Sequence, residues 1–126
     1  MILGIGCDIL QIKRFQKACN TAFINRVFTQ NEQDFANTLK GKRKINYLAK
    51  RFAAKEAVAK ACGTGIGDFV GWQDIEISNN EQGMPIIKLS EKAQKNIQKR
   101  FKCRQFKTHI TLSDDEQAMA FAILEK

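Results

Sequence analysis

Apolar and polar residues follow distinct periods along the chain, and these periods predict its strands. An apolar run over residues 2–9 contains Gly4 and Gly6, which indicates a strand that is buried on both faces and closely approached by another backbone. Further along, the pattern predicts two strands joined by a turn and then a closing hairpin. Their expected bounds are Trp72 to Ser78, Pro85 to Leu89, Thr108 to Ser113 and Ala118 to Leu124.

Helical periodicity is strongest between Ile45 and Cys62, a segment rich in Ala, Lys, Glu and Arg that runs into a Gly-rich loop. A basic break over residues 41–44 precedes it. Thr29 and Glu32 match a capping box, so another helix is expected to begin there. The shorter helices are expected over residues 12–19, residues 22–28, Thr29 to about Leu39, and Ser90 to about Phe101.

These elements predict one α+β domain over residues 1–126, with an antiparallel sheet packed on a long central helix. The long helix carries a carboxylate on its apolar side. Ile45, Ala49 and Phe52 form a stripe at helical spacing, Glu56 is the next position on it, and Lys60 follows four residues later. Flanking alanines add little bulk, which favours a cleft beside the two charges. The alternative is a solvated Glu–Lys pair, which stabilises a helix by roughly 0.2–0.5 kcal/mol.

Composition narrows the class of protein. The chain has 126 residues and is 44% hydrophobic, which suits one domain with a core. Its formal net charge of +8 predicts an acidic partner, such as nucleic acid, an anionic membrane, a phosphorylated small molecule or an acidic protein. Four cysteines without metal-ligand spacing indicate reduced thiols, and the N-terminus does not resemble a signal peptide, so we expect a cytoplasmic location.

Asp8 directly follows the first apolar strand, where a rigid element can fix a metal ligand. An aspartate at such a place is, on its own, more typical of a turn or a helix N-cap. Together with Glu56 it provides two carboxylates from two elements. Mg²⁺ is commonly bound by one or two protein carboxylates, with waters and substrate phosphates completing its shell. The pair therefore predicts a metal-plus-pyrophosphate site.

The loop after the long helix reads Gly-Thr-Gly-Ile-Gly over residues 63–67. Such a loop can turn backbone N–H groups toward a phosphate, although a flexible turn is a common alternative and the GK[ST] ending of a Walker A loop is missing. Lys60 is placed to neutralise a phosphate there. His109 is the only histidine; a lone histidine is often structural, but polar Thr111 and Ser113 share its strand face, so it remains a ligand-contact candidate.

Taken in order, these motifs resemble those of the holo-(acyl carrier protein) synthases. The opening Gly6-Cys7-Asp8 is similar to the family's G-x-D motif, and residues 51–61 resemble its F-x-x-K-E-x-x-x-K motif, with the glycine loop following in register. Residues 73–77, 83–85 and 109–113 are similar to its strand, turn and closing His strand. One departure is Asp114, because a common form of the closing motif has a second histidine there and some members have an acidic residue.

The resemblance implies a 4′-phosphopantetheinyl transferase with a compact α+β fold. Such an enzyme requires Mg²⁺ and moves the phosphopantetheine arm of coenzyme A onto a serine of apo acyl carrier protein, which is typically acidic. It releases adenosine 3′,5′-bisphosphate and serves fatty acid biosynthesis. Family members of this length are usually homotrimers with active sites between protomers.

The resemblance also implies roles for individual residues. Asp8 and Glu56 become the Mg²⁺ ligands, and Lys60 joins them as the catalytic group that assists the departing phosphate. Coenzyme A is expected to contact Lys55, Lys60, Gly63, Thr64 and His109. The carrier protein is expected to dock on Lys13, Arg14 and Lys17.

Two other functions fit parts of the sequence. A nucleic-acid-binding protein would explain the positive charge, but the aromatic residues are mostly Phe, no nucleic-acid motif is present, and Glu56 would have no purpose. A different Mg²⁺-dependent enzyme acting on nucleotides would use the same two carboxylates. We expect neither a nucleic-acid partner nor membrane insertion, since no apolar run approaches the roughly 20 residues of a spanning helix.

Overall fold

The computed structural model describes all residues, 1–126. Its strands form a three-stranded antiparallel sheet in the order β1–β5–β4 and a separate β2–β3 hairpin. The strands are β1 (Ile2–Gln11), β2 (Ile75–Asn79), β3 (Pro85–Leu89), β4 (Lys107–Asp114) and β5 (Gln117–Glu125). The helices are α1 (Ile12–Ala18), α2 (Thr21–Val27), α3 (Gln30–Ala36), α4 (Gly41–Ala61) and α5 (Glu91–Arg100).

The predicted α+β architecture is confirmed, although its strands are divided between two sheets. Helix α4 begins at Gly41, so the expected basic break over residues 41–44 is instead its first turn. Residues Trp72–Asp74 form a short 3₁₀ helix where a strand was expected, and β2 begins only at Ile75. The capping box predicted for Thr29 and Glu32 is present at the start of α3.

Helix α4 lies across one face of the three-stranded sheet and contributes to both apolar clusters of the core. The larger cluster joins its C-terminal half to β5, β2 and α5 through residues such as Val58, Ala122 and Ile97. The smaller cluster joins its N-terminal half to α1 and α2 through Leu48, Phe15 and Val27. None of the helices combines the length and hydrophobicity that a membrane crossing requires.

Only one face of β1 is covered, so the expectation of a strand buried on both faces is wrong for a single chain. Its residues alternate, and Gly6 is buried while Ile5 and Ile9 are 60% and 56% exposed. On the neighbouring strand β5, Met119 and Phe121 face the same open side. The apolar run therefore covers two surfaces of different kinds: an inner face on α4 and an apolar outer face.

Candidate active site

The contact between β1 and α4 is unusually close, and two glycines make it possible. A Cβ atom at Gly6 would lie 1.9 Å from the carbonyl oxygen of Ala57, and one at Gly4 would lie 1.9 Å from that of Ala61. Any side chain at either position would force the strand away from the helix, because real Cβ atoms do not approach oxygen so closely. The backbone approach predicted from the two glycines is confirmed, and it brings the end of β1 to the C-terminal half of α4.

This contact places Asp8 beside Lys60. The Lys60 ammonium lies 3.0 Å from an Asp8 carboxylate oxygen and also donates a hydrogen bond to the Cys7 carbonyl at 2.9 Å. The hydrogen bond to Asp8, together with the nearby negative charges, raises the pKa of Lys60 above its usual value. The Lys60 side chain is half exposed, so the cation is held in place by β1 while remaining open to a ligand.

Glu56 lies one turn before Lys60 on the same helix face, and its side chain is half buried. Burial raises the pKa of this carboxyl group, and the negative charge of Asp8 raises it further, while Lys60 opposes the shift. The two carboxylates are therefore close enough to repel each other. A cation between them would remove that repulsion, and two carboxylates suffice for Mg²⁺ when a substrate supplies the other ligands. No group of three or more His, Cys, Asp or Glu side chains is available as a complete protein site.

The small residues of α4 have a different purpose from the one expected. Ala49, Ala53 and Ala57 are fully buried. They do not open a cleft beside Glu56; they allow the sheet and the neighbouring helices to approach the α4 backbone. Close packing, rather than a void, is what brings the charged side chains together.

Lys55 occupies a position that disagrees with its expected contact to a phosphate of coenzyme A. Its ammonium is completely buried and forms an ion pair of 2.6 Å with Glu32. It also donates hydrogen bonds to the carbonyls of Val27, at 2.7 Å, and Trp72, at 2.9 Å. Because successive helix positions are about 100° apart, Lys55 points into the protein while Glu56 faces the site. In this chain Lys55 joins elements of the core.

The glycine loop also differs from the expected phosphate nest. Gly63 donates to the Lys60 carbonyl at 2.9 Å, and Thr64 and Gly65 donate to the Ala59 carbonyl at 3.4 and 3.1 Å. Gly63 has φ +79° and Gly65 has φ +67°, the left-handed geometry with which glycines end helices. These N–H groups are thus occupied in closing α4. Gly63 and Thr64 remain exposed at the end of the helix that carries Lys60, so their contact with coenzyme A stays a prediction.

His109 lies on the other side of the sheet. Asp8 points toward α4, whereas His109, Thr111 and Ser113 are exposed on the outer face, next to the apolar residues of β1 and β5. The His109 ring is 2.8 Å from Glu125, and this contact lowers the pKa of the Glu125 carboxyl group. Within one chain the structure therefore does not bring His109 together with Asp8, Glu56 and Lys60.

The basic residues of α1 point outward, as the helical pattern predicts. Ile12 and Phe15 are buried, whereas Lys13, Arg14 and Lys17 are exposed. None of the three cations has a carboxylate partner within 4.0 Å, so the surface is free to attract an acidic molecule.

Asp114, at which the chain departs from the resembled closing motif, is held by α4. Lys50 lies 3.2 Å from one of its carboxylate oxygens, and Asn46 donates a hydrogen bond of 3.1 Å to the other. The carboxylate therefore ties the end of β4 to the long helix.

A large surface cavity does not coincide with the carboxylates. It has a volume of about 1110 Å³ and lies where the outer sheet face meets the starts of α1 and α4. Ile9, Met119, Lys13 and Lys42 line it, but Asp8, Glu56 and Lys60 do not. The carboxylate–lysine cluster where β1 meets α4 is therefore the candidate chemical centre on grounds of charge and geometry.

Comparisons with known proteins show which family the chain resembles. A family model described as the 4′-phosphopantetheinyl transferase superfamily matches residues 4–122. A holo-[acyl-carrier-protein] synthase of Bacillus cytotoxicus is 41% identical over 128 residues, covering 99% of this chain and 97% of the relative.

Solved structures of holo-(acyl-carrier-protein) synthases are also similar to this chain. A holo-[acyl-carrier-protein] synthase from Neisseria meningitidis has a TM-score of 0.88 and 35% identity, with 100% of both chains covered. A holo-(acyl-carrier-protein) synthase from Bacillus anthracis, solved in complex with CoA (3′,5′-ADP), has a TM-score of 0.85 and 38% identity. That comparison covers 100% of this chain and 98% of the other.

Proposed function

The chain belongs to the 4′-phosphopantetheinyl transferase superfamily, and from this premise we propose that it acts as a holo-(acyl carrier protein) synthase. It transfers the 4′-phosphopantetheine group of coenzyme A to a serine of apo acyl carrier protein, releases adenosine 3′,5′-bisphosphate and depends on Mg²⁺. The observation that carries the proposal is the convergence of Asp8, Glu56 and Lys60 where β1 meets α4. The proposal includes a role in fatty acid biosynthesis and a cytoplasmic location.

The site chemistry suits an attack at phosphorus. Asp8 and Glu56 are the residues that would hold Mg²⁺, which stabilises negative charge on the pyrophosphate of coenzyme A when it is bound. Transfer of a phosphoryl-type group depends mainly on positioning the reactants and on neutralising negative charge, so a covalent bond to the protein is not needed.

The residues of this chain divide the remaining work. The serine oxygen forms a bond to the pantetheine-side phosphorus, and the bond from that phosphorus to the bridging oxygen breaks. Lys60, oriented by Asp8 and the Cys7 carbonyl, neutralises the charge that develops on the departing phosphate. Two groups can take the serine proton: Glu56 itself, or a water molecule held at the site.

We further propose a homotrimer with sites shared between protomers. The support is the outer sheet face, on which Ile5, Ile9, Met119 and Phe121 are exposed together. Covering such a face by other copies of the chain would bury its apolar area. The proposal includes that His109 of one protomer lies near the carboxylates of another and contacts coenzyme A there, as the family resemblance implies.

The carrier protein is proposed to dock on α1. Arg14, with Lys13 and Lys17, offers three exposed cations without competing carboxylates. An acidic carrier would be steered to this surface, and its association rate would fall as salt screens the attraction.

The test is intact-mass analysis of an apo acyl carrier protein incubated with the protein, coenzyme A and Mg²⁺. We expect a mass gain equal to one phosphopantetheine group, lost on adding EDTA and lost in the variant Glu56→Gln. The matched control is Glu91→Gln, because Glu91 is an exposed carboxylate on α5 whose only partner is Lys95. No mass gain with the folded wild-type protein and several carrier proteins would overturn the proposal.

A further inference from the structure

The positive charge of the chain is concentrated in one region that the proposed reaction has not used. Residues 86–107, from β3 through α5 to the start of β4, contain eight Lys or Arg residues and a single acidic residue, Glu91. This region therefore carries a net charge of +7, out of +8 for the whole chain. The positive and negative charges of the rest of the molecule nearly cancel in sum, although α1 itself is basic.

One cation of this region reaches the candidate active site. A Cβ atom at Gly63 would lie 3.1 Å from a terminal guanidinium nitrogen of Arg100, so the guanidinium rests directly against Gly63. Gly63 in turn donates its N–H to the Lys60 carbonyl at 2.9 Å. Arg100 thus approaches the end of α4 from α5, one helical turn beyond the lysine that faces the carboxylates.

The position of this guanidinium is restrained, but its donors are not used. Its central carbon lies 5.8 Å from the ring centre of Phe69 and 5.9 Å from that of Phe101. No carboxylate lies within 4.0 Å of it, and no protein acceptor takes a hydrogen bond from it. Its neighbours on α5 differ, because Lys92 pairs with Asp74 and Lys95 pairs with Glu91.

Such a group suits a phosphate. A guanidinium presents several N–H donors in one plane and can bind two phosphate oxygens at once. It is weakly hydrated, so aromatic side chains can pack against it. The other role open to Arg100 is that of a cation at the C-terminal end of α5, where it would stabilise the helix dipole. Lys99 occupies the same helix turn and would serve that purpose equally well.

We propose that Arg100 is an additional binding residue that contacts a phosphate group of coenzyme A over Gly63. The inference rests on the proposed function. The other cations of residues 86–107 would attract the negatively charged coenzyme A toward the glycine loop, residues 63–67. Coenzyme A has a pyrophosphate and a 3′-phosphate, and both share the chemistry that a guanidinium recognises.

The test compares Arg100→Gln with the matched control Lys99→Gln, which removes the same charge from the same helix turn. The Kd for coenzyme A, measured by calorimetry, is expected to rise about tenfold for Arg100→Gln, the value of one charge-assisted contact. The control is expected to change it by less than twofold. Equal weakening in both variants would overturn the proposal, because Arg100 would then act only through the long-range positive potential of the basic region.

Two further measurements separate the contact from other causes. Arg100→Lys keeps the charge but loses the planar fork, so it should recover only part of the affinity. If 3′-dephospho-coenzyme A binds equally to wild type and Arg100→Gln, the contact is to the 3′-phosphate; if it shows the same tenfold loss, the contact is to the pyrophosphate. Failure of the proposed function would appear as a wild-type protein that transfers nothing, whereas failure of this inference would appear as an active wild type and an unaltered Arg100→Gln.

Discussion

Glu56 is half buried beside Asp8, and the nearby Lys60 forms its ion pair with Asp8 instead, so this arrangement is unfavourable for the folded chain. Its raised pKa means that the folded protein binds the Glu56 proton more tightly than the unfolded chain does. The free energy of unfolding therefore falls as pH rises from the usual glutamate range to the raised pKa, and stays lower above it. A pair of carboxylates of this kind lowers the stability of the metal-free protein and favours the binding of a cation.

Replacing Glu56 by Gln should consequently stabilise the metal-free protein while abolishing transfer. At pH 7 to 8 we expect Tm to rise by roughly 2–4 °C, which corresponds to somewhat less than 1 kcal/mol for a domain of this size. Well below the usual glutamate pKa the carboxyl group is protonated in both states, so the difference should vanish. Thermal melts at several pH values measure this; an unchanged or lower Tm at neutral pH would contradict the repulsion between Asp8 and Glu56.

The buried pair of Lys55 and Glu32 is a different case, because each charge is compensated in the core by the other. Burial lowers the pKa of Lys55, and Glu32 opposes that shift. Glu32→Gln would leave the ammonium buried without its counter-charge, for which we expect a loss of about 3–5 kcal/mol in urea denaturation. Lys95→Gln breaks an exposed ion pair and should cost less than about 1 kcal/mol. Similar small losses in both variants would show that Lys55 is not a structural cation.

At the scale of elements, the β1–α4 contact decides whether the site exists. Gly6→Ala would place a methyl carbon 1.9 Å from the Ala57 carbonyl oxygen, so β1 must move and carry Asp8 away from Lys60. We expect a destabilisation of about 3 kcal/mol together with lower transferase activity. Gly67→Ala is the control, since no atom lies within 4 Å of a Cβ there. A Gly6→Ala protein as stable and active as wild type would mean that the close approach is dispensable.

The sequence predicted this contact well because each part of it has a local signal. Glycines in an apolar strand indicate close backbone approach, and helical spacing puts Glu56 and Lys60 on one face. The burial of Lys55 had no such signal, because its partner Glu32 is distant in sequence and matched a capping box for a different reason. The start of α4 was misjudged because glycine followed by three basic residues is typical of a break, although here these residues form an exposed first turn.

In a single chain β1 is buried on only one face, although its sequence predicts burial on both. An apolar residue that covers a core and one that covers another protomer look the same in a sequence. The alternation on β1, with Gly6 inside and Ile5 and Ile9 outside, becomes visible only when the inner neighbour is known. The outer face then points to a larger assembly.

For the whole molecule we expect a mass of three chains, each of 14.3 kDa. Phe121→Lys places a charge at the centre of the outer face and should give single chains in light scattering after gel filtration, with transferase activity lost in parallel. Met84→Lys changes an exposed apolar residue away from this face and should leave the trimer intact. A trimer that survives Phe121→Lys with full activity would place the protomer contacts elsewhere.

The central claim is that each transferase site combines Asp8, Glu56 and Lys60 of one chain with His109 of another. The most direct measurement co-expresses Glu56→Gln and His109→Ala chains with different tags, purifies the mixed trimers and follows the mass gain of apo acyl carrier protein. Each variant alone should be inactive. Every mixed trimer has one site in three that pairs an intact Glu56 with an intact His109, so about a third of wild-type activity should be restored. Activity no higher than that of the separate variants, or full activity of His109→Ala alone, would contradict the shared site.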